Sequence, residues 1–205
     1  TIENEYRKVT VTTWGAQVKS VVRKCDGVEH IWQADKSVWG YHAPVLFPFT
    51  GRLKDGKLIA KGREFDFPTP HGFTRTSEHT FVYQNKHTLV LQLTDSPETL
   101  EKWPYKFRFM SAFTLEGDVL HHTLTVENQD EEEMSFGIGY HPAFTLPFDE
   151  NHTYLDYELR FDKNESPICL EMSPRGLVTG NTYFLNNNLN AIPVTPELFA
   201  NDSHC

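Results

Sequence analysis

The chain has 205 residues, 28 of them acidic and 19 basic, for a formal charge of −9. That balance argues against a protein built to grip nucleic-acid backbones or anionic membrane surfaces, since both need basic faces. The longest apolar stretch, residues 43–49, contains two prolines and is far short of the roughly 20 residues of a spanning helix.

Period-two alternation dominates the chain from its start. Val9, Val11 and Thr13 share one face of an early strand that turns at Gly15. Residues 38–53 are aromatic and proline-stiffened and end in a cation, Arg52, next to Gly51. Leu89, Leu91 and Leu93 face one way, with Thr88, Val90 and Gln92 on the other side. Ser96 followed by Pro97 opens a single helical turn to Lys102. Tyr105, Phe107, Phe109 and Phe113 alternate with Lys106, Arg108 and Met110, and Glu116-Gly117-Asp118 supplies a hairpin turn. The return strand runs through Leu120, His122, Leu124 and Val126. Residues 181–196, rich in Asn and Pro, read as an irregular surface segment. No amphipathic helix of three turns is evident. The expectation is an all-β protein, a large sandwich or barrel, forming one domain over residues 1–205.

Two histidines sit in constrained pentapeptides, His71 in 71–75 (His-Gly-Phe-Thr-Arg) and His141 in 139–143 (Gly-Tyr-His-Pro-Ala). Imidazole is both acid and base near neutrality, so a pair of held imidazoles points to proton transfer. Alternation places His71, Phe73 and Arg75 on one face, a strip that suits a sugar, and Gly72 admits close backbone approach. Pro142 biases His141 to an extended conformation. The planar fork of Arg52 suits a hydroxyl pair or an anion. Each of these residues also has a plainer reading, a surface cation for Arg52, a turn for His71 and a strand end for His141. The adjacent His121 and His122 point to opposite faces of a strand, and His79 and His87 lie in polar, loop-like surroundings.

No His-x-His, His-Glu-x-x-His or Cys-x-x-Cys pattern supports a metal site. No Gly-x-Ser-x-Gly elbow or glycine-rich phosphate loop is present. Cys25, Cys169 and Cys205 are an odd set that reads as free thiols in a reducing compartment, and the polar, acidic residues 1–5 do not resemble a secretion signal. A soluble, cytoplasmic protein is expected. The glycosylation patterns at Asn151, Asn164 and Asn201 carry little weight in that setting.

The order of these pieces resembles the aldose 1-epimerase, or galactose mutarotase-like, superfamily, with closest likeness to its LacX-type branch near the hexose-6-phosphate mutarotases. The resemblance runs from residues 3–5 through Gly15-Ala16, residues 32–35, Trp39-Gly40, residues 44–52 and 71–75 to residues 138–144. It implies a β-supersandwich that interconverts the α and β anomers of a free sugar or sugar phosphate. It implies no cofactor, and the sequence leaves open whether the protein is a monomer or a homodimer. By position, His141 is similar to the acid that protonates the ring oxygen, His71 to the histidine that polarises the same region, and Arg52 to a substrate-holding arginine. Arg75 matches an arginine that helps hold phosphate, and Asp202 resembles an aspartate that binds sugar hydroxyls.

Ring opening of a hemiacetal takes a proton from the anomeric hydroxyl and gives one to the ring oxygen, which requires an acid and a base on opposite sides of the sugar. The family's base is a glutamate in a stretch that family members carry beyond the position matching residue 205, so the chain is expected to be incomplete at its C-terminal side. Glu171 and Glu197 are the nearest local acids, and neither has a matching motif. Thr74 stands where alanine is usual, and Tyr140 where a smaller residue is common. The alternative function is a non-catalytic carbohydrate-binding or regulatory protein on the same scaffold. A lyase or isomerase that removes a proton next to a carbonyl is a third.

Overall fold

The computed structural model of the chain describes residues 1–185 and 187–200. Two compact units form, Thr1–Thr145 and a second beginning at Leu146. Both are built of antiparallel strands, as the period-two patterning predicts.

The first unit opens with a three-stranded sheet of β1 (Ile2–Glu3), β2 (Arg7–Thr12) and β3 (Gln17–Arg23), in that order. The register of β2 and β3 shifts between Thr10 and Val11, so strict alternation ends there. A short strand, β4 (Val45–Leu46), follows, then the hairpin of β5 (Lys57–Ala60) and β6 (Arg63–Asp66). A four-stranded sheet comes next from β7 (Thr80–Gln84), β8 (Thr88–Thr94), β9 (Phe107–Glu116) and β10 (Val119–Asn128), ordered β10-β9-β8-β7. The last strand of the unit, β11 (Gly139–Tyr140), pairs with β4.

The long strands follow the sequence closely. Phe107, Phe109, Phe113 and Leu115 are buried along β9, while Arg108 and Glu116 are exposed. Glu116 pairs with Val119 across a two-residue turn, with Gly117 at φ 57°. The helical turn α1 (Pro97–Leu100) is closed by a capping box, in which Ser96 accepts from the Thr99 amide and Thr99 from the Ser96 amide. No described helix is long and apolar enough to cross a membrane.

Phe47 lies at the centre of the aromatic core, its ring 5.3–6.3 Å from those of Phe109, Phe107, Phe136, Phe73 and Trp103. Burying a phenylalanine contributes about 2–3 kcal/mol, so these rings fix the segment around residue 47 firmly. A second core joins Ile2, Val9, Val18 and Ile31 to Leu89, Leu91 and Phe113.

In the second unit, β12 (Glu158–Glu165) pairs with β15 (Leu189–Pro193), and β13 (Ile168–Met172) with β14 (Val178–Phe184). These pairings correct the irregular segment expected over residues 181–196. The β-forming Thr182, Tyr183 and Phe184 pair with residues 168–170, and Ile192 in β15 is buried. Asn187 and Asn188 lie between the two strands, and Pro193 ends β15, so the asparagine and proline content marks turns and ends.

Candidate active site

Residues 43–49 form the spine that carries both singled-out histidines. On one side the chain of residues 137–143 runs antiparallel to it. Gly137 N donates to Pro48 O (2.8 Å), His141 N to Pro44 O (3.0 Å) and Ala143 N to His42 O (2.9 Å). Gly139 leaves room for this approach, since a Cβ there would lie 2.7 Å from Thr50 Cγ2 and the threonine side chain would have to shift. On the other side Gly72 makes a parallel bridge to Phe47. The Phe47 carbonyl accepts from Phe73 N (3.1 Å), Thr74 N (3.3 Å) and Thr74 Oγ1 (3.1 Å). Thr74 is fully buried, and this bond satisfies its hydroxyl.

The two imidazoles meet edge to face, with ring centroids 6.3 Å apart and planes at 77°. His71 holds a left-handed backbone, φ 71°, a conformation that costs a non-glycine residue roughly 1–2 kcal/mol. Two hydrogen bonds offset this cost. His71 N donates to Gly51 O (2.8 Å), and Gly51 N donates to His71 Nδ1 (3.0 Å). An amide N–H can only donate, so Nδ1 accepts and the neutral ring carries its proton on Nε2. His141 stacks on Trp39, with centroids 4.9 Å apart and planes at 28°. Among the described residues His141 has no carboxylate partner.

Arg75 packs its guanidinium over the Tyr41 ring, 4.8 Å from the centroid, and donates from Nη2 to Pro70 O (3.1 Å). Its Nε is enclosed without a hydrogen-bond acceptor among the described residues. Arg52, directly after Gly51, is exposed and reaches Pro68 O at 3.4 Å. Asp202 lies outside the described residues. Glu171, in β13, accepts from Thr179 Oγ1 (2.6 Å) and Asn181 Nδ2 (2.8 Å), and these bonds lower its pKa. It therefore stays ionised and engaged within its own hairpin. Glu197 lies in a 3-10 turn, Pro196–Phe199.

Two expectations are corrected here. His71, Phe73 and Arg75 do not share a face. With His71 and Gly72 both at positive φ, and Thr74–Thr76 a 3-10 turn, Phe73 enters the core and Arg75 swings to Tyr41. His79 does lie outside any strand, just before β7, but its surroundings are not polar and open. It is 2% exposed, receives its backbone hold from Thr13 O (2.9 Å), and has Nδ1 3.0 Å from Ser77 O. Burial lowers its pKa and keeps it neutral. Its Nε2 is enclosed without a hydrogen-bond partner among the described residues.

Sequence reading passed over three residues. Trp39 entered only through the Trp39-Gly40 likeness and Tyr41 only within a segment read as stiff and aromatic, and neither was given a role at the site. His122 does face away from the exposed His121, as alternation requires. It stacks on Phe113 (4.2 Å), lies 2.7 Å from Ser111 Oγ through Nε2, and meets the edge of Tyr140. Burial pushes its pKa down to about 4. A cavity of about 380 Å³ opens elsewhere in the first unit, lined by Phe73, Thr76, Ser77, Leu93, Thr94 and Ser96 among others. Neither His71 nor His141 lines it.

The family model described as aldose 1-epimerase matches residues 1–189. Plasmid-encoded protein LacX of Lactococcus lactis subsp. lactis is 34% identical over 98% of this chain and 70% of its own length. Among solved structures, a galactose mutarotase related enzyme from Lactobacillus acidophilus superposes with a TM-score of 0.91 at 31% identity, covering 98% of this chain and 67% of that one. A galactose mutarotase-like protein from Lactobacillus casei gives 0.89 at 27% identity, over 98% and 69%. The expected fold class, an all-β galactose mutarotase-like supersandwich, is thereby established.

Proposed function

The chain belongs to the aldose 1-epimerase family, and we propose that it interconverts the α and β anomers of an aldohexose or hexose 6-phosphate without a cofactor. The observation that carries this reading is the pair His71 and His141, held on either side of one spine with rings 6.3 Å apart.

In the proposed reaction His141 donates a proton to the ring oxygen as the bond from that oxygen to the anomeric carbon breaks. The anomeric hydroxyl loses its proton to a base and becomes the aldehyde oxygen. Rotation about the bond between the first two carbons exposes the other aldehyde face, and the same transfers in reverse close the ring. His71, with Nδ1 occupied by the Gly51 amide, offers Nε2–H to an oxygen of the sugar. The base is a carboxylate outside the described residues. Arg52 and Arg75 bind substrate, and Asp202 holds sugar hydroxyls. Positioned acid–base catalysis of this kind contributes roughly 10²–10⁴-fold. A cytoplasmic setting fits the free thiols of Cys25 and Cys169.

Exchange NMR on galactose in deuterated water tests the reaction class. The complete protein should speed exchange between the anomers without placing deuterium on the second carbon. Deuterium at that carbon would instead identify proton abstraction next to a carbonyl.

A further inference from the structure

We infer that Trp39 and Tyr41 are positioning residues, forming an aromatic ladder that sets the His141 imidazole at one end and the Arg75 guanidinium at the other. The two inner rings lie 5.7 Å apart, with His141 stacked on Trp39 at 4.9 Å and Arg75 over Tyr41 at 4.8 Å. Residues far apart in sequence are thus joined in one run of faces, His141–Trp39–Tyr41–Arg75. The run ends in the two groups that the proposed function uses as acid and as anion holder. What those groups do rests on that reading, whereas the ladder rests on geometry.

The ladder is anchored at both ends. Trp39 N donates to Asp35 O (2.8 Å), in a turn where Asp35 Oδ1 accepts from Ser37 N (2.9 Å) and Ser37 Oγ (2.7 Å). The Trp39 carbonyl accepts from Trp32 Nε1 (2.8 Å). Just past Tyr41, the Oε1 of buried Gln17 accepts from His42 N (2.6 Å) and Ala43 N (3.0 Å). Trp39 and Tyr41 are nonetheless only half-buried, unlike the enclosed Trp103 and Phe47. Their rings are held rigidly without being part of the core.

Among the described residues the other side-chain contacts of the outer groups are the edge of His71 against His141 and one hydrogen bond from Arg75. The His141 backbone is fixed through Pro44 O, but the ring can turn about its own axis unless a face is laid against it. Among the described residues the Arg75 side chain makes one hydrogen bond, from Nη2 to Pro70 O, and its Nε is enclosed with no acceptor. The negative face of Tyr41 supplies the electrostatic partner that Nε lacks. A general acid must be aimed to within a fraction of an ångström, and the indole face gives that aim.

The test combines a spectroscopic and a kinetic measurement on the complete protein. In proton NMR, the His141 ring signals, identified by their loss in His141→Asn, should be displaced by the Trp39 ring current and return to ordinary positions in Trp39→Leu. In mutarotation, Trp39→Leu should lower kcat about tenfold with KM within about twofold, and Trp39→Phe should recover most of the loss. Unmoved His141 signals in folded Trp39→Leu overturn the stack. A rise in KM that matches the loss in kcat/KM overturns the positioning role and makes the indole a binding surface. Should Trp39→Leu fail to fold, Trp39→Phe decides, since a benzene ring keeps a weaker displacement of the same signals and no displacement refutes the ladder. Should the wild type show no mutarotation, the proposed function fails while the NMR measurement still decides the ladder.

Discussion

Gly51 and His71 hold one another through two hydrogen bonds of opposite direction, the Gly51 amide to His71 Nδ1 at 3.0 Å and the His71 amide to the Gly51 carbonyl at 2.8 Å. One bond sets the tautomer of the imidazole and the other sets the turn that carries it. Nitrogen-15 NMR of the neutral ring should find Nδ1 bare and Nε2 protonated, and the reverse tautomer would show that the latch is absent in solution. Gly51 sits at φ 74° with open space where a Cβ would go. Gly51→Ala should therefore fold at a cost of about 1 kcal/mol, from backbone strain alone.

Gly72 meets a harder limit. It is at φ 69°, and a Cβ there would collide with the Phe47 carbonyl, which is fixed in the aromatic core. Gly72→Ala should lose about 3 kcal/mol or more in urea unfolding. A loss like that of Gly51→Ala would mean that residues 71–75 are free to move off the spine.

His122 predicts a pH dependence of stability. Its pKa falls from 6.5 to about 4 on burial, so between those values the unfolded chain binds the proton that the folded chain refuses. Stability should therefore drop as pH falls from about 6.5 to 4, by on the order of 3 kcal/mol from this group. His122→Phe removes that slope. At pH 7.5 the same substitution should cost about 1–2 kcal/mol, because buried Ser111 loses its partner. Urea midpoints of both proteins across the pH range measure the difference, and identical slopes would remove His122 as the cause.

Arg52 and Arg75 should separate in their side effects. Among the described residues, exposed Arg52 makes a single long hydrogen bond, to Pro68 O. Arg52→Ala should change stability by no more than about 0.5 kcal/mol while weakening binding of galactose 6-phosphate tenfold or more, roughly the worth of a charged hydrogen bond. Arg75→Ala should weaken the phosphorylated sugar similarly and also cost about 0.5–1 kcal/mol of stability from the Tyr41 stack. Calorimetry with galactose and its 6-phosphate reads both effects. An unchanged preference between the two sugars would remove phosphate binding from these arginines.

Much of the fold could be read from the chain, because a strand buried on one face writes its register directly into the sequence. Leu89 and Leu91, then Phe107, Phe109 and Phe113, are buried as their alternation required. The turn at Gly117-Asp118 and the Ser96 cap were readable for the same local reason. Of the candidate site, only the two framed histidines were legible. His71 and His141 stood out through the glycines and proline around them, and these are the residues that let their backbones approach the spine. The stacking of Trp39 and Tyr41 was not legible, since a ring stack between distant segments has no period and no neighbour signal. Phe73 and Arg75 were placed on one face because alternation assumes an extended chain. Two consecutive residues at positive φ, one of them a histidine, broke that assumption. His79 and His122 were misjudged or set aside because burial of a polar ring depends on what packs over it.

The most direct measurement is polarimetry on freshly dissolved α-galactose and α-glucose, with the complete protein and with its His141→Asn variant. The expected result is a decay of optical rotation well above the spontaneous rate for the wild type, with kcat falling far more than sugar binding in the variant. A wild-type protein that binds the sugar yet leaves the spontaneous rate unchanged would contradict the mutarotase reading and leave a carbohydrate-binding protein on the same scaffold.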